Sequence, residues 1–152
     1  MLNIKIKILD NRLVKDFSLP NYETIMSAGM DLRAMTGNDF VLNPNEVRLI
    51  PTGFAMYIAD PNVTALVVPR SGLGYKHGIV LSNLVGVIDA DYQGQLMVPL
   101  WNHSTKPFTV RVGDRVAQML FIPVLHPTFE ITEEFSSPSA RGTEGFGSTG
   151  NR

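Results

Sequence analysis

Apolar and polar positions alternate with a period of two along most of this chain, which is typical of half-buried β-strands. At the start, Ile4, Ile6 and Ile8 alternate with Lys5 and Lys7. Further short apolar runs follow, and turn residues separate them at intervals of about ten residues, as in β-sandwiches and barrels. After the first strand, the pattern predicts strands at residues 47–50, 53–58, 64–68, 79–81, 84–88, 95–101, 108–112, 116–125 and 128–131.

Long helices are not expected, because no stretch carries a sustained 3.6-residue apolar period. A turn or two of helix is predicted at residues 70–75, where glycines prevent a longer one. Residues 43–45 (Asn-Pro-Asn) and 60–62 (Asp-Pro-Asn) predict turns, because proline fixes φ and asparagine tolerates the left-handed conformation. We therefore expect an all-β fold, a jelly-roll-like β-sandwich or barrel.

The length of 152 residues fits a single domain, whose folding buries roughly 70% of the unfolded chain's surface. The composition changes at Ser136, so we place the domain at residues 1–135 and a glycine-rich C-terminal arm at residues 136–152. The arm has one aromatic residue and no apolar periodicity, and it is expected to be flexible when no ligand is bound. It lacks the Gly-Lys-Ser/Thr ending of a Walker A loop.

Charge and cysteine content exclude several classes of function. The net charge of −1 provides no basic excess, so a nucleic-acid polymer is not expected as a partner. The chain has no cysteine, which excludes disulfides and cysteine catalysis and fits a reducing compartment, so a cytoplasmic location is expected. The charged, alternating start does not read as a secretory signal, and the apolar run at 119–125 is too short to span a bilayer. We therefore expect no membrane partner.

Two polar, glycine-containing clusters flank the apolar run at residues 79–85. The first, PRSGLGYKHG at residues 69–78, contains Arg70 and Ser71, whose side chains can donate hydrogen bonds to phosphate oxygens. Gly72 and Gly74 allow the backbone to approach a phosphate closely. This cluster predicts a phosphate-binding loop, and the alternative is a loop with an incidental charge.

The second cluster is GVIDADYQG at residues 86–94, with Asp89 at the end of a predicted strand. A carboxylate there can act as a general base that activates water, or it can start a turn, the commoner role of an isolated aspartate. Tyr92 and the residue after it are predicted to form the loop of a hairpin that places Ile88 opposite Met97. The mouth of such a hairpin exposes backbone groups that can hydrogen-bond the edge of a base.

Other polar residues carry weaker signals. Gln118 lies among apolar residues of a predicted strand and needs hydrogen-bond partners, which are either structural or a phosphate. His77, His103 and His126 have no ligand spacing, so zinc bound by the protein is not expected.

The two clusters resemble the second and third motifs of the trimeric dUTP pyrophosphatases (dUTPases). Three further segments match that family in the same order: SAGMDL at 27–32, GDRVAQ at 113–118 and RGTEGFGS at 141–148. The resemblance covers nearly the whole chain. One departure is Met30, where the family more often has Tyr, Phe or Leu, and its apolar character is kept. The resemblance implies the jelly-roll fold and a homotrimer with shared active sites.

The resemblance also implies a reaction, the hydrolysis of dUTP to dUMP and pyrophosphate. This reaction keeps uracil out of DNA and supplies dUMP for thymidylate synthesis. Water would attack the α-phosphorus with Asp89 as the catalytic base. Tyr92 would pack beneath the sugar, where a ribose 2′-OH would clash. Uracil would be read by the Asn83 side chain and by the backbone of Val87, Ile88 and Met97.

The remaining implied roles concern the phosphates and the metal. The triphosphate would be bound by Arg70, Ser71, Gly72 and Gln118. The arm would close over a neighbouring subunit's site, with Arg141 on phosphate and Phe146 stacked on the base. Mg²⁺ is the implied cofactor, held by substrate phosphates and waters and by no protein ligand directly. Asp31 would have a structural or water-mediated role near the metal.

Two alternatives stay open. The dCTP deaminases share this fold and some of these motifs, but the sequence at residues 90–94 favours a dUTPase. A non-enzymatic jelly-roll module for binding or assembly would show no turnover and would need neither Asp89 nor the arm.

Overall fold

The computed structural model describes residues 3–143 and 145. Two short helices occur in this range, α1 (Arg12–Lys15) and α2 (Ser71–His77). The strands are β1 (Lys5–Ile8), β2 (Met30–Arg33), β3 (Phe40–Leu42), β4 (Val47–Tyr57), β5 (Val63–Val68), β6 (Ile79–Leu81), β7 (Gly86–Ile88), β8 (Gln95–Asn102), β9 (Phe108–Val110) and β10 (Arg115–Pro123). No helix among the described residues is long and apolar enough to cross a membrane.

The strands form two four-stranded sheets and a two-stranded ribbon. One sheet has the order β1-β4-β8-β6, the other has the order β2-β10-β5-β7, and β3 pairs with β9. Every strand pair is antiparallel. The prediction of an all-β, jelly-roll-like fold is confirmed, in its sandwich form.

Strand β8 shows how the alternating sequence builds the core. Leu96, Val98 and Leu100 are buried, while the residues between them are half-buried on the other face. The series ends at Asn102, a buried polar residue whose Nδ2 donates to the carbonyls of Leu42, at 2.9 Å, and Lys106. These bonds satisfy the amide away from water and fasten β8 to the β3 side of the core.

The structure has a single strand, β4, where the sequence predicted two. The sequence predicted two strands, at 47–50 and 53–58, and the structure has one strand with an irregularity between Pro51 and Ala55. Gly53 has φ +81° there, and a Cβ on it would lie 2.9 Å from Met35 Cγ. The glycine therefore lets one strand bend where a larger residue would be strained.

Other differences concern strands with weak or misleading local patterns. Strands β2 and β3 were not predicted, because each contains only two or three apolar residues. The predicted strand at 128–131 is wrong, because that segment has no partner strand within the described residues. The short helix predicted at 70–75 is confirmed as α2, which ends at Gly78 with φ +65°.

The predicted hairpin after Asp89 is also wrong. Strand β7 pairs with β5 and β8 pairs with β4 and β6, so the two strands belong to different sheets. Ile88 lies opposite Ala65, and Met97 lies opposite Pro51. Residues 89–94 therefore connect the two sheets rather than closing a ladder. The Thr64 hydroxyl donates to the Ile88 carbonyl at 2.7 Å and fastens the end of β7 to the β5 side.

Candidate functional site

A group of charged and polar side chains lies where β2, β10 and the end of β5 run side by side. In the sheet register, Gln118 of β10 lies between Asp31 of β2 and Val68 of β5. Arg70 follows β5 by two residues, and Gln118 Nε2 donates to the Pro69 carbonyl at 3.0 Å. Three segments that are distant in sequence thus converge at one point of the sheet. The predicted residues Arg70, Gln118 and Asp31 are brought together.

Arg70 is fixed at two points. Its Nε forms an ion pair with Asp31 Oδ1 at 2.9 Å, and its Nη1 donates to the backbone carbonyl of Arg115 at 3.0 Å. A guanidinium carries five N–H donors, so donors remain for a ligand after these two contacts. The side chain is about one-third exposed. Such an arginine is held in one orientation and can bind an anion at modest entropic cost.

A cavity of about 340 Å³ opens beside this arginine. Predicted phosphate residues line it, and Gly72 faces open space, since a Cβ added there would meet no atom within 4 Å. Its lining residues are Asp31, Arg70, Ser71, Gly72, Leu73, Lys76, His77 and Gln118. Cationic side chains, a hydroxyl and approachable backbone suit phosphate oxygens. Lys76 and His77 were not predicted as site residues, although both belong to the same glycine-rich cluster.

Asp89 lies at a different part of the surface from the Arg70 cavity. It is exposed, directly after β7, and lines a different cavity of about 500 Å³ together with Tyr57, Asp91 and His126. The neighbouring backbone is fixed, because the Ala59 N–H donates to the Ala90 carbonyl at 2.9 Å. The carboxylate is therefore presented from a well-anchored corner of the sandwich, as expected for a strand end.

Asp89 and the phosphate cluster of the same chain do not converge. Strand β7 lies on the opposite side of β5 from β10, and Ile88 pairs with Ala65 while Gln118 pairs with Val68. From the usual strand spacing and rise per residue, the Cα atoms of Asp89 and Gln118 are about 16 Å apart. A general base must lie within hydrogen-bond reach of the proton it takes, directly or through one water. Within one chain, Asp89 therefore lies away from the side chains expected to hold the phosphates.

The residues predicted to read a base lie on strand edges. Asn83 is exposed in the turn before β7, Val87 is exposed on β7, and β7 is an edge strand of its sheet. Strand β6 pairs with β8 only from Leu100 to Asn102, so Met97 lies beyond that pairing. Backbone N–H and C=O groups on such edges have no strand partner and can bind a ligand.

Tyr92 is held over a glycine. Its hydroxyl donates to the Gln95 carbonyl at 2.9 Å, and its N–H donates to the Asp89 carbonyl at 3.2 Å. A Cβ added to Gly94 would overlap the Tyr92 ring and hydroxyl. Gly94 was not singled out from the sequence. The signal available was the glycine two residues after an exposed turn aromatic.

Part of the arm lies within the described residues, up to 143 and at 145. Arg141 lies in an exposed turn, in which the Gly142 N–H donates to the Ser139 carbonyl at 3.1 Å. Phe146 lies outside the described residues. The boundary between the domain and the arm at Ser136 stays a prediction, as do the roles assigned to Arg141 and Phe146.

Comparisons with known proteins give a consistent result. A family model described as dUTPase matches residues 15–150. A deoxyuridine 5′-triphosphate nucleotidohydrolase of Pseudomonas aeruginosa (strain UCBPP-PA14) is 57% identical over 151 residues, which are 99% of each chain. The same-named protein of Haemophilus influenzae (strain PittEE) is 54% identical over 152 residues, which are 100% of each chain.

A solved structure is also similar. The dUTPase of Staphylococcus bacteriophage 80alpha, determined with dUPNHPP, is 26% identical in sequence with a TM-score of 0.80. The match covers 99% of this chain and 99% of that one.

Proposed function

The chain belongs to the dUTPase family, and we propose that it hydrolyses dUTP to dUMP and pyrophosphate. The observation that carries this proposal is the match of the family over residues 15–150, together with 54% and 57% identity to the two nucleotidohydrolases over nearly the full chain. The reaction would keep uracil out of DNA and supply dUMP for thymidylate synthesis. The enzyme class is dUTP diphosphatase.

We assign the triphosphate to the cavity beside Arg70. Arg70, Ser71, Gly72 and Gln118 would bind phosphate oxygens, since they line one cavity and Arg70 is held with donors to spare. Charge-assisted hydrogen bonds from a guanidinium are the strongest contacts available for such a group. The cavity volume of about 340 Å³ lies at the lower end of the range for small-molecule pockets.

The active site is proposed to be shared between copies in a homotrimer. The separation of about 16 Å estimated from strand geometry supports this, because Asp89 must then serve a triphosphate bound by another chain's Arg70. Apolar residues that no described part of the chain covers also support assembly. The segment after β10 exposes Leu125, Phe129, Ile131 and Phe135, and Phe129 and Ile131 are 95% and 99% exposed. A neighbouring subunit would cover them.

Catalysis would follow from that arrangement. Asp89 would take a proton from water as the water oxygen bonds to the α-phosphorus. The bond from the α-phosphorus to the oxygen bridging to the β-phosphate would break, and pyrophosphate would leave. Arg70 would offset the negative charge that shifts toward the leaving oxygens.

Mg²⁺ is the proposed metal, and the donor set fits one bound through the substrate. Both Asp31 oxygens are paired with arginines, and the described residues contain no cluster of three or more His, Asp or Glu that could hold an ion. Phosphate oxygens and waters would therefore supply most ligands, with Asp31 reaching the hydrated ion through water. When bound, Mg²⁺ would neutralise phosphate charge and orient the chain of phosphates.

Base and sugar selection are assigned to the connection between the sheets. Asn83 and the backbone of Val87, Ile88 and Met97 would pair with uracil, whose N3–H donor lies between two carbonyl acceptors. Cytosine presents a different order, so binding it would leave buried polar groups unpaired. Tyr92 would exclude the ribose 2′-OH by contact.

The arm would complete the site once substrate is bound. Arg141 would pair with phosphate and Phe146 would stack on the base, a contact that contributes about 1–3 kcal/mol in comparable sites. Deleting residues 141–152 should leave the melting temperature nearly unchanged and slow turnover strongly. A truncated protein of full activity would contradict this role.

One assay tests the proposed function as a whole. Release of pyrophosphate should be measured from dUTP, UTP, dCTP and dTTP, with ammonia release followed for dCTP in parallel. Turnover of dUTP far above the others is the expected result. Ammonia from dCTP would indicate a deaminase, and no turnover at all would indicate a binding or assembly module. Neither alternative is favoured by the relatives found.

A further inference from the structure

We propose that Arg115 is a positioning residue that holds Asp31, and through Asp31 orients Arg70 toward the phosphates; this inference rests on the proposed function of the Arg70 cavity. Arg115 itself is not assigned to the ligand. It lies on β10, three residues before Gln118, and pairs with Asp31 Oδ2, whereas Arg70 pairs with Asp31 Oδ1.

A β-bulge places Arg115 on the correct face of the sheet. Between β10 and β2, Gln118 pairs with Asp31 and Ala117 with Leu32, but Arg115 pairs with Arg33, so Val116 is an extra residue. Val116 and Ala117 are both buried, at 2% and 0% exposed, although they are consecutive. In a regular ladder Arg115 would lie opposite Ala34, on the buried face. The bulge instead turns its side chain to the face that carries Asp31 and Gln118.

The contacts form a chain of ion pairs that ends at Arg70. Arg115 Nη2 lies 3.1 Å from Glu23 Oε1, and Arg115 Nη1 lies 3.2 Å from Asp31 Oδ2. The other Asp31 oxygen, Oδ1, lies 2.9 Å from Arg70 Nε. Arg115 therefore occupies one carboxylate oxygen and leaves the other for Arg70. With both oxygens engaged, the carboxylate cannot rotate without breaking an ion pair.

Charge adds a second reason for this arrangement. Asp31 is only 20% exposed and lies in a cavity assigned to phosphates, where a negative charge opposes binding. Arg70 alone would be neutralised by it. Arg115 compensates the charge of Asp31, and its own second partner, Glu23, is 58% exposed and well screened by water. Arg115 thus adds to the positive charge that Lys76 already gives the cavity. Lysine cannot replace Arg115 fully, because a single ammonium does not span two carboxylates in fixed geometry.

The expected effect is moderate, because part of the support for Arg70 survives substitution. Arg70 Nη1 also donates to the Arg115 backbone carbonyl, which every variant at position 115 retains. We expect Arg115→Gln to lower kcat/KM for dUTP about tenfold, through a raised KM and a lowered kcat, and Arg115→Lys to recover part of the loss.

Arg33 offers a matched control. It lies opposite Arg115 in the register, on the same face, and its Nη1 donates to the Gly113 carbonyl at 2.9 Å. Arg33→Gln removes one arginine from the same sheet without touching the Asp31 pairs. We expect its kcat/KM to stay within about twofold of the parent, as for a substitution outside the linked network. Melting temperatures of both variants should be recorded beside the kinetics.

The decisive experiment is a double-mutant cycle with Asp31→Asn, using steady-state kinetics on dUTP and calorimetric binding of inorganic tripolyphosphate. If Arg115 acts through Asp31, Arg115→Gln adds almost no further loss in the Asp31→Asn background. A full additional tenfold loss there would overturn the proposal in favour of direct phosphate contact. Equal losses for Arg33→Gln and Arg115→Gln would overturn it in favour of general sheet stability. A parent enzyme that fails to release pyrophosphate from dUTP refutes the proposed function, while the tripolyphosphate cycle still decides the role of Arg115.

Discussion

Gly94→Ala should weaken the discrimination between dUTP and UTP without unfolding the protein. The added Cβ would overlap the ring and hydroxyl of Tyr92, so the ring must swing away from its present position. That movement breaks the hydrogen bond from the Tyr92 hydroxyl to the Gln95 carbonyl. The bond is at the surface and contributes about 1 kcal/mol. The backbone itself is unstrained by the change, since Gly94 does not have a left-handed φ.

The effects on stability and on selectivity differ in size. Replacing glycine by alanine reduces the entropy of the unfolded chain, which stabilises the fold by roughly 0.4–1 kcal/mol and offsets most of the lost hydrogen bond. The melting temperature should therefore move by no more than about 3 °C. The ratio of kcat/KM for dUTP over that for UTP should fall about tenfold, which corresponds to 1.4 kcal/mol.

The assay compares both nucleotides at several concentrations for the parent, Gly94→Ala, Tyr92→Ala and Gly37→Ala. Gly37 is the control, because a Cβ added there meets no atom within 4 Å and its backbone φ is ordinary. Gly37→Ala should keep the parent's selectivity. Gly94→Ala and Tyr92→Ala should lose it to a similar extent. If Gly94→Ala retains the full dUTP preference while Tyr92→Ala loses it, the placement of the ring by Gly94 is refuted. If neither loses it, Tyr92 does not read the sugar.

Three further predictions address the base, the assembly and acid stability. Asp89→Asn should lower turnover by a factor of about 10² or more while a non-hydrolysable dUTP analogue still binds; near-normal turnover contradicts its role as base. Refolding a mixture of the inactive variants Arg70→Gln and Asp89→Asn should restore activity in about a quarter of the sites if neighbouring copies share them, and none if each chain is complete. Light scattering should give three times the chain mass of 16.8 kDa. A hydrogen bond from Arg12 lowers the pKa of Asp10, so Asp10 stabilises the fold above about pH 4 and loses this effect as acid titrates it through the lowered pKa. In Asp10→Asn, the free energy of unfolding should depend less on pH in that range than in the parent. Identical pH dependence in the two proteins would show that the Asp10–Arg12 pair does not contribute to stability.

Local sequence patterns predicted the strands better than their partners. The period-2 alternation located β1, β5, β6 and β8 within a few residues, because alternation is a property of each strand alone. Pairing is not. The turn signal after Asp89 favoured a hairpin, yet β7 joins β5 and β8 joins β4 and β6. A short turn permits a hairpin without requiring one, and the choice is made by strands far away in sequence.

In the candidate site, too, residues in local motifs were predicted and a residue placed by long-range pairing was not. Arg70, Gln118 and Asp31 were selected from motif resemblance, and the structure brings them together. Arg115 was not selected, although it lies in the segment that contains Gln118. Its partner Asp31 is 84 residues away, and the bulge at Val116 that turns it toward Asp31 leaves no local mark, since Val-Ala inside an apolar run is ordinary strand sequence. A side chain whose direction depends on an extra residue in a distant pairing is outside the reach of pattern reading.

Strand β5 separates Asp89 from the proposed phosphate-binding residues of the same chain. Residues 65–67 of β5 pair with β7, and Asp89 follows β7 toward the N-terminal end of β5. The C-terminal end of β5 leads to Arg70, while β10 flanks β5 on the other side. A six-residue strand is about 20 Å long, so the base and the phosphate ligands are kept at opposite ends of one rigid element. No side-chain rotation can close that distance within one chain. The proposed shared site resolves this, because a neighbouring chain presents the missing end, and stability of the fold and competence of the site then become separate properties. Substitutions at contacts between copies should lower turnover in a protein that still melts normally as a monomer, whereas substitutions within β5 should damage both.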